Sequence, residues 1–123
     1  MKRAILLVDH GSRRAEANEL LEEVAECVRQ RVPDQVVAIA HMELAEPDIG
    51  TGIDACVGAG ATKIVVHPYF LGPGNHTSQD IPQLVRSAAA RYPGVDIAIS
   101  PPLGLHERIV EVILERVEAA AKP

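Results

Sequence analysis

Five histidines carry the most distinctive chemistry in this 123-residue sequence. Imidazole is the commonest metal ligand among side chains and also a base near neutral pH, so a group of histidines can hold a divalent metal, accept protons, or do both. No two of the five have the spacing of a local signature such as His-Glu-x-x-His. Any shared site must therefore be assembled from distant segments. The five are His10, His41, His67, His76 and His106.

The segments that would position these histidines alternate between strand and helix. Four short apolar runs have the length and composition of strands, and four stretches with helical periodicity follow them in turn. The predicted strands are 4–8, 36–40, 63–66 and 95–99. The first predicted helix is 14–32. The second has Pro47 in its first turn and ends at Gly58 and Gly60, the third begins at about residue 81, and the fourth is 105–121.

Four strand–helix units predict an α/β fold in a single domain, residues 1–123, with a four-stranded parallel sheet and helices on both faces. Right-handed crossovers favour the flavodoxin-like strand order 2-1-3-4. Ligands of such sheets bind beyond the carboxyl ends of the strands. The polar residues collect at that edge, because 9–13 follow the first strand, 41–43 end the second, and 67–76 follow the third.

The histidines and their nearest acidic residue also have purely structural explanations. His10 fits a loop or helix-capping histidine as well as a ligand, and His76 fits a solvated loop position. His41 and His67 fit strand-end histidines whose hydrogen bonds are satisfied locally, and Glu43 fits an exposed surface acid. The long loop around His76 favours function, because long loops in compact domains often carry it.

Four other polar residues allow two interpretations. Ser12 and Asp80 each stand before an apolar periodic stretch and are suited to capping the helix that follows. Arg13 and Arg14 are either ordinary surface charges or clamps for carboxylates, which guanidinium groups bind in a bidentate manner.

Composition limits the class of protein. The net charge of −5 and the single Phe and two Tyr disfavour nucleic-acid binding. No apolar run approaches the roughly 20 residues that span a bilayer, so no membrane association is expected. Cys27 and Cys56 stand alone, which predicts two reduced thiols packed on helices and a cytoplasmic protein.

Four stretches, in order along nearly the whole chain, resemble the sirohydrochlorin cobaltochelatase and ferrochelatase family. The third stretch is the most specific. The chain is similar to the short form of this family, which has one α/β unit where longer relatives have two. The stretches are DHGSR at 9–13, MELAEPDI at 42–49, HPYFLGPGNHTSQDIP at 67–82 and PPLGLH at 101–106.

The resemblance implies a class II chelatase, which inserts Co²⁺, Fe²⁺ or Ni²⁺ into a tetrapyrrole without ATP. The sequence has no phosphate-binding Gly-x-x-x-x-Gly-Lys loop and so predicts no nucleotide cofactor. The metal-site histidines of the family correspond to His10 and His76, and its acidic residue to Glu43, so these three are the predicted catalytic residues. Sirohydrochlorin carries eight carboxylates, and their predicted donors are Ser12, Arg13, Arg14, Gly74, Thr77 and Ser78.

Two other functions use the same residues. A histidine phosphatase would need an arginine just before the strand-1 histidine, where this sequence has Asp9, and that disfavours it. A non-catalytic metal carrier or tetrapyrrole-binding module remains an alternative.

The size of the domain predicts a homodimer. A 123-residue domain has a radius of gyration of roughly 14 Å, and offers only one wall to a large flat macrocycle. A twofold dimer would supply the second wall.

Overall fold

The alternation of strand and helix is confirmed. The computed structural model describes residues 2–122, except for the side chains of residues 75–79. Strands β1 to β4 span Arg3–Asp9, Val36–His41, Lys63–Pro68 and Asp96–Ile99, and helices α1 to α4 span Ala15–Arg31, Ile49–Gly58, Asn75–Ala89 and Glu107–Ala121.

The four strands form one parallel sheet in the predicted order β2-β1-β3-β4. β1 lies inside the sheet, which explains why its apolar residues do not alternate with polar ones. Leu6 and Leu7 point to opposite faces, and both are buried. Leu6 pairs with Ala38 on β2 and with Val66 on β3.

Helices cover both faces of this sheet, as predicted. Ile53 of α2 and Ile81 of α3 are buried in one core cluster together with Leu6. On the opposite face, Leu21 and Ala25 of α1 form a second cluster with Leu7 and Val37. The second cluster is smaller because α1 packs mainly over β1 and β2.

Helix α4 carries an apolar face that no described residue covers. In the described part of the chain it has no buried residue and packs closely against no other element. Its exposed apolar residues recur at helical spacing, and we call them the α4 stripe. In the part of the chain that the structure describes, the sheet face above β3 and β4 on the α1 side is also open, since Ala98 is exposed there. The α4 stripe consists of Val110, Ile113, Leu114 and Val117.

Helix α3 begins at Asn75, earlier than the predicted start near residue 81. Residues 75–80 are polar and add no apolar period, so the sequence pattern indicated a loop there. Asp80 therefore lies inside α3, and the prediction that it caps the helix is wrong. Pro82, whose ring suits a first helical turn, lies further inside the same helix.

Helix α2 begins two residues after Pro47, so the placement of Pro47 in its first turn is also wrong. The N-cap is Asp48, whose carboxylate accepts a 2.8 Å hydrogen bond from the Thr51 backbone N–H. This bond lowers the pKa of Asp48, because it stabilises the charged form.

Both cysteines are free, in agreement with the prediction, but only one of them is packed. Cys27 is exposed, whereas Cys56 is buried in the α2 core, and this burial raises the pKa of the Cys56 thiol to about 11. Along residues 2–122, no helix combines the length and hydrophobicity needed to cross a membrane.

Candidate metal and tetrapyrrole site

The four stretches on which the family resemblance depends meet at the carboxyl edge of the sheet. The N–H groups of Met42 and Glu43 donate to the carbonyls of Asp9 and His10, at 3.0 and 3.1 Å. The other connections are Tyr69 N–H to the Val8 carbonyl, Leu103 N–H to the Phe70 carbonyl, and Gly104 N–H to the Leu71 carbonyl, at 2.7 to 2.9 Å. Backbone hydrogen bonds thus join segments that are far apart in sequence.

His10 and Glu43 face each other at this edge. Nε2 of His10 lies 3.4 Å from Oε1 of Glu43, and the two side chains are 46% and 54% exposed. An imidazole and a carboxylate at this separation can share a divalent metal or accept protons from a bound molecule. The structure thus brings together two of the three residues predicted to be catalytic.

Gly11 holds the two loops at this distance, and the sequence pattern did not identify this role. Its φ angle is +93°, in the region that favours glycine. A Cβ atom at this position would lie 1.8 Å from the carbonyl oxygen of Glu43. The loop that carries Glu43 can pack so closely against the β1 end only because residue 11 has no side chain.

His76, Thr77 and Ser78 fall within the backbone range of α3, but their side chains lie outside the described residues. Gly74 directly precedes this helix and is exposed. Among the side chains that are described, no three His, Cys, Asp or Glu residues come together as a metal-binding group. A role of His76 as the second metal-binding histidine, and of the other three in binding substrate, stays a prediction.

The loop between β1 and α1 carries the other predicted substrate donors. Ser12 does not cap α1 as predicted, because the N-cap position is Arg14. The hydroxyl of Ser12 instead accepts a 3.0 Å hydrogen bond from the Arg14 N–H. The side-chain amide of Asn18 bonds both the N–H and the carbonyl of Ser12, which stabilises the loop. Arg13 and Arg14 are exposed.

The other described histidines have hydrogen-bond partners of their own. Nδ1 of His67 is 2.8 Å from the Ser100 hydroxyl, and burial lowers the pKa of His67, which keeps its imidazole neutral at pH 7. His106 is the N-cap of α4, where Nδ1 accepts from the Arg108 N–H. His41 is buried and bonds the Asp9 carboxylate. These bonds agree with the structural explanation of His41 and His67 as satisfied strand-end histidines.

A cavity of about 430 Å³ opens beside Glu43, between its loop and α3. Periodicity could not reveal it, because three of its four α3 residues are polar and the fourth, Leu84, is an apolar residue that is 42% exposed. Glu43 is therefore accessible from the cavity as well as from the side of His10. The lining residues are Met42, Glu43, Asp80, Gln83, Leu84 and Ser87.

Comparisons with known proteins identify the family of this chain. The CbiX family model matches residues 4–120. The chain is 43% identical over 93% of its length to the chloroplastic sirohydrochlorin ferrochelatase of Arabidopsis thaliana, 51% of which is covered. It is 33% identical over 92% of its length to the sirohydrochlorin cobaltochelatase of Methanococcus maripaludis, 96% of which is covered.

Solved structures share the fold. The chain superposes on the sirohydrochlorin chelatase SirB of Bacillus subtilis subspecies spizizenii, solved in complex with cobalt, with a TM-score of 0.91 and 40% identity, covering 98% of this chain and 52% of that one. The chain spans about half the length of SirB and of the Arabidopsis relative. On the match of the family model to nearly all of its residues, this chain belongs to the CbiX family.

Proposed function

We propose that this chain inserts a divalent metal, Co²⁺, Fe²⁺ or Ni²⁺, into sirohydrochlorin without a nucleotide. The observation that carries the proposal is the His10–Glu43 pair, with its 3.4 Å separation at the carboxyl edge of the sheet. The names of the relatives, which are sirohydrochlorin ferrochelatases and cobaltochelatases, support the same substrate. The metal is a substrate of this reaction and leaves in the product.

The chemistry requires a group that holds the metal and a base that takes the two pyrrole protons one after the other and releases each to solvent. The imidazole of His10 offers a nitrogen ligand, and the Glu43 carboxylate beside it is an acceptor for a proton. Both side chains are about half exposed, so a planar macrocycle can reach them from solvent. We propose His76 as the second histidine at the metal.

The many carboxylates of the substrate require local donors, since the chain as a whole has a net charge of −5. Arg13 and Arg14 are exposed in the loop that follows His10, and guanidinium groups bind carboxylates in bidentate geometry. We assign to these two residues the strongest contribution. Hydrogen bonds from Ser12, Gly74, Thr77 and Ser78 complete the proposed set.

A turnover assay tests the proposal. The chain, incubated with sirohydrochlorin and Co²⁺ in the absence of ATP, is expected to form the metallated product well above the uncatalysed rate, followed by the change in visible absorption. The KM for sirohydrochlorin should rise with salt, because salt screens the exposed arginines. Binding of metal or tetrapyrrole without turnover would identify a carrier and contradict the proposal.

We further propose that the site is completed by a second copy of the chain. Among the described residues, neither the α4 stripe nor the sheet face above β3 and β4 on the α1 side is covered, and that sheet face presents Val65 and the exposed Ala98 beside the Lys63–Asp96 ion pair. A twofold dimer can cover both at once, because α4 of each copy can lie on the bare face of the other. The same contact would bring a second wall to the macrocycle.

Replacing Ile113 by glutamate is expected to convert a dimer into a monomer, because a charge in the centre of the stripe cannot be buried without a partner. Light scattering at micromolar concentration measures the mass. Glu111→Gln on the same helix changes an exposed residue outside the stripe and should leave the dimer intact. A wild-type monomer that turns over sirohydrochlorin would contradict the proposal.

A further inference from the structure

Directly behind the His10–Glu43 pair, a second imidazole and a second carboxylate meet. Nδ1 of His41 lies 2.5 Å from Oδ1 of Asp9. The two residues are the last pair of register partners at the carboxyl ends of β1 and β2. An ionised carboxylate can only accept, so the Nδ1–H of His41 donates. His41 is 2% exposed and is the one buried polar or charged residue among the side chains that the structure describes.

The burial of an imidazole costs free energy that an apolar side chain at the same position would not cost. The sheet does not need a histidine there for packing, since the preceding level on the same face of β1 and β2 is filled by Leu7 and Ile39. The hydrogen bond to Asp9 offsets the cost and at the same time ties the two strands together. This bond lies at the carboxyl ends of β1 and β2, directly before the loops that carry His10 and Glu43.

The connection from this pair to the site runs through the backbone. Asp9 precedes His10, and its carbonyl accepts from the Met42 N–H, next to His41. One step further, the His10 carbonyl accepts from the Glu43 N–H. A change in the separation of the strand ends at Asp9 and His41 is therefore transmitted to the positions of His10 and Glu43.

We infer that Asp9 and His41 are positioning residues that set the separation of His10 and Glu43, and thereby the affinity and geometry of the metal at this site. The inference depends on the proposed function for the identity of the metal site. Residues that do not bind a metal themselves but hold its ligands in place commonly change the metal affinity by about 10- to 100-fold when they are replaced.

The test uses Co²⁺ alone with the full chain, because the visible spectrum of bound Co²⁺ reports its ligands and geometry. His41→Leu replaces the imidazole with an apolar side chain of similar size and so removes the hydrogen-bond donor. We expect about 10-fold weaker Co²⁺ binding with an altered spectrum. In His41→Asn the side-chain amide can donate from near the Nδ1 position, and affinity and spectrum should return towards those of the wild type.

Ser100→Ala is the matched control, because it removes the similar bond of His67 between the ends of β3 and β4 and should leave Co²⁺ binding unchanged. Should His41→Leu not fold by circular dichroism, Asp9→Ala removes the acceptor of the same bond and is expected to show the same loss.

A folded His41→Leu or Asp9→Ala variant with wild-type affinity and spectrum would overturn the inference, and so would a folded His41→Asn variant as impaired as His41→Leu. Failure of the wild-type chain to bind Co²⁺ would instead count against the proposed function, so the two failures are distinguishable.

Discussion

Replacing His10 by alanine is expected to lower the rate of Co²⁺ insertion into sirohydrochlorin by about 10²- to 10⁴-fold, the range typical for loss of a group that transfers protons. The imidazole faces Glu43 and is about half exposed, so its removal takes away a ligand and a proton acceptor without opening the core. Circular dichroism and thermal unfolding should therefore match those of the wild type. His76→Ala is expected to give a loss of similar size, as the second histidine of the proposed site.

His106→Ala provides the control for these variants. Its imidazole caps α4 through the Arg108 N–H, and its loss should lower the free energy of unfolding by about 1 kcal/mol at most and leave most of the activity. Initial rates with Co²⁺, measured beside bound-metal content, separate the outcomes. A near-normal rate for His10→Ala would remove the central residue of the proposed mechanism, and full metal binding without turnover would assign His10 to proton removal.

Replacing Gly11 by alanine should impair both stability and activity, although it adds a single methyl group. The new Cβ would lie 1.8 Å from the Glu43 carbonyl oxygen, a contact that no side-chain rotation can relieve. The φ angle of +93° adds strain of about 1–2 kcal/mol for any residue with a Cβ. The Glu43 loop must move away from the β1 end, and the 3.4 Å separation from His10 is then lost.

Thermal unfolding and initial rates with Co²⁺ measure this effect, and we expect a rate reduced by about 10²-fold or more, as if the carboxylate had been removed. Gly94→Ala is the matched control, because a Cβ there meets no atom within 4 Å and no positive φ is involved. Unchanged melting temperature and rate in Gly11→Ala would show that the Glu43 loop adapts freely, and that the close approach of the two loops is not needed.

Some of these features could be predicted from sequence because they depend on periodicity alone. An apolar run such as Ala4–Val8 must be covered on both sides, and in a chain of alternating strands and helices only an inner strand of a parallel sheet is covered in that way. The handedness of the connections then favours the strand order. That order brings 9–13 and 41–43 to one edge, so the strand order is enough to predict the location of the candidate site.

The tertiary structure alone decided which residues of that edge touch. The 3.4 Å contact between His10 and Glu43 depends on the register of β1 against β2 and on the absence of a side chain at Gly11, and neither is encoded in local periodicity. The same holds for the burial of His41, which the local pattern does not reveal. His41 pairs inside the protein with Asp9, which is 32 residues away in the sequence. The apolar period of α4 is likewise visible in the sequence, whereas its lack of cover within one chain is not. Periodicity reports which side of an element avoids water, but the partner that covers that side is determined by long-range packing.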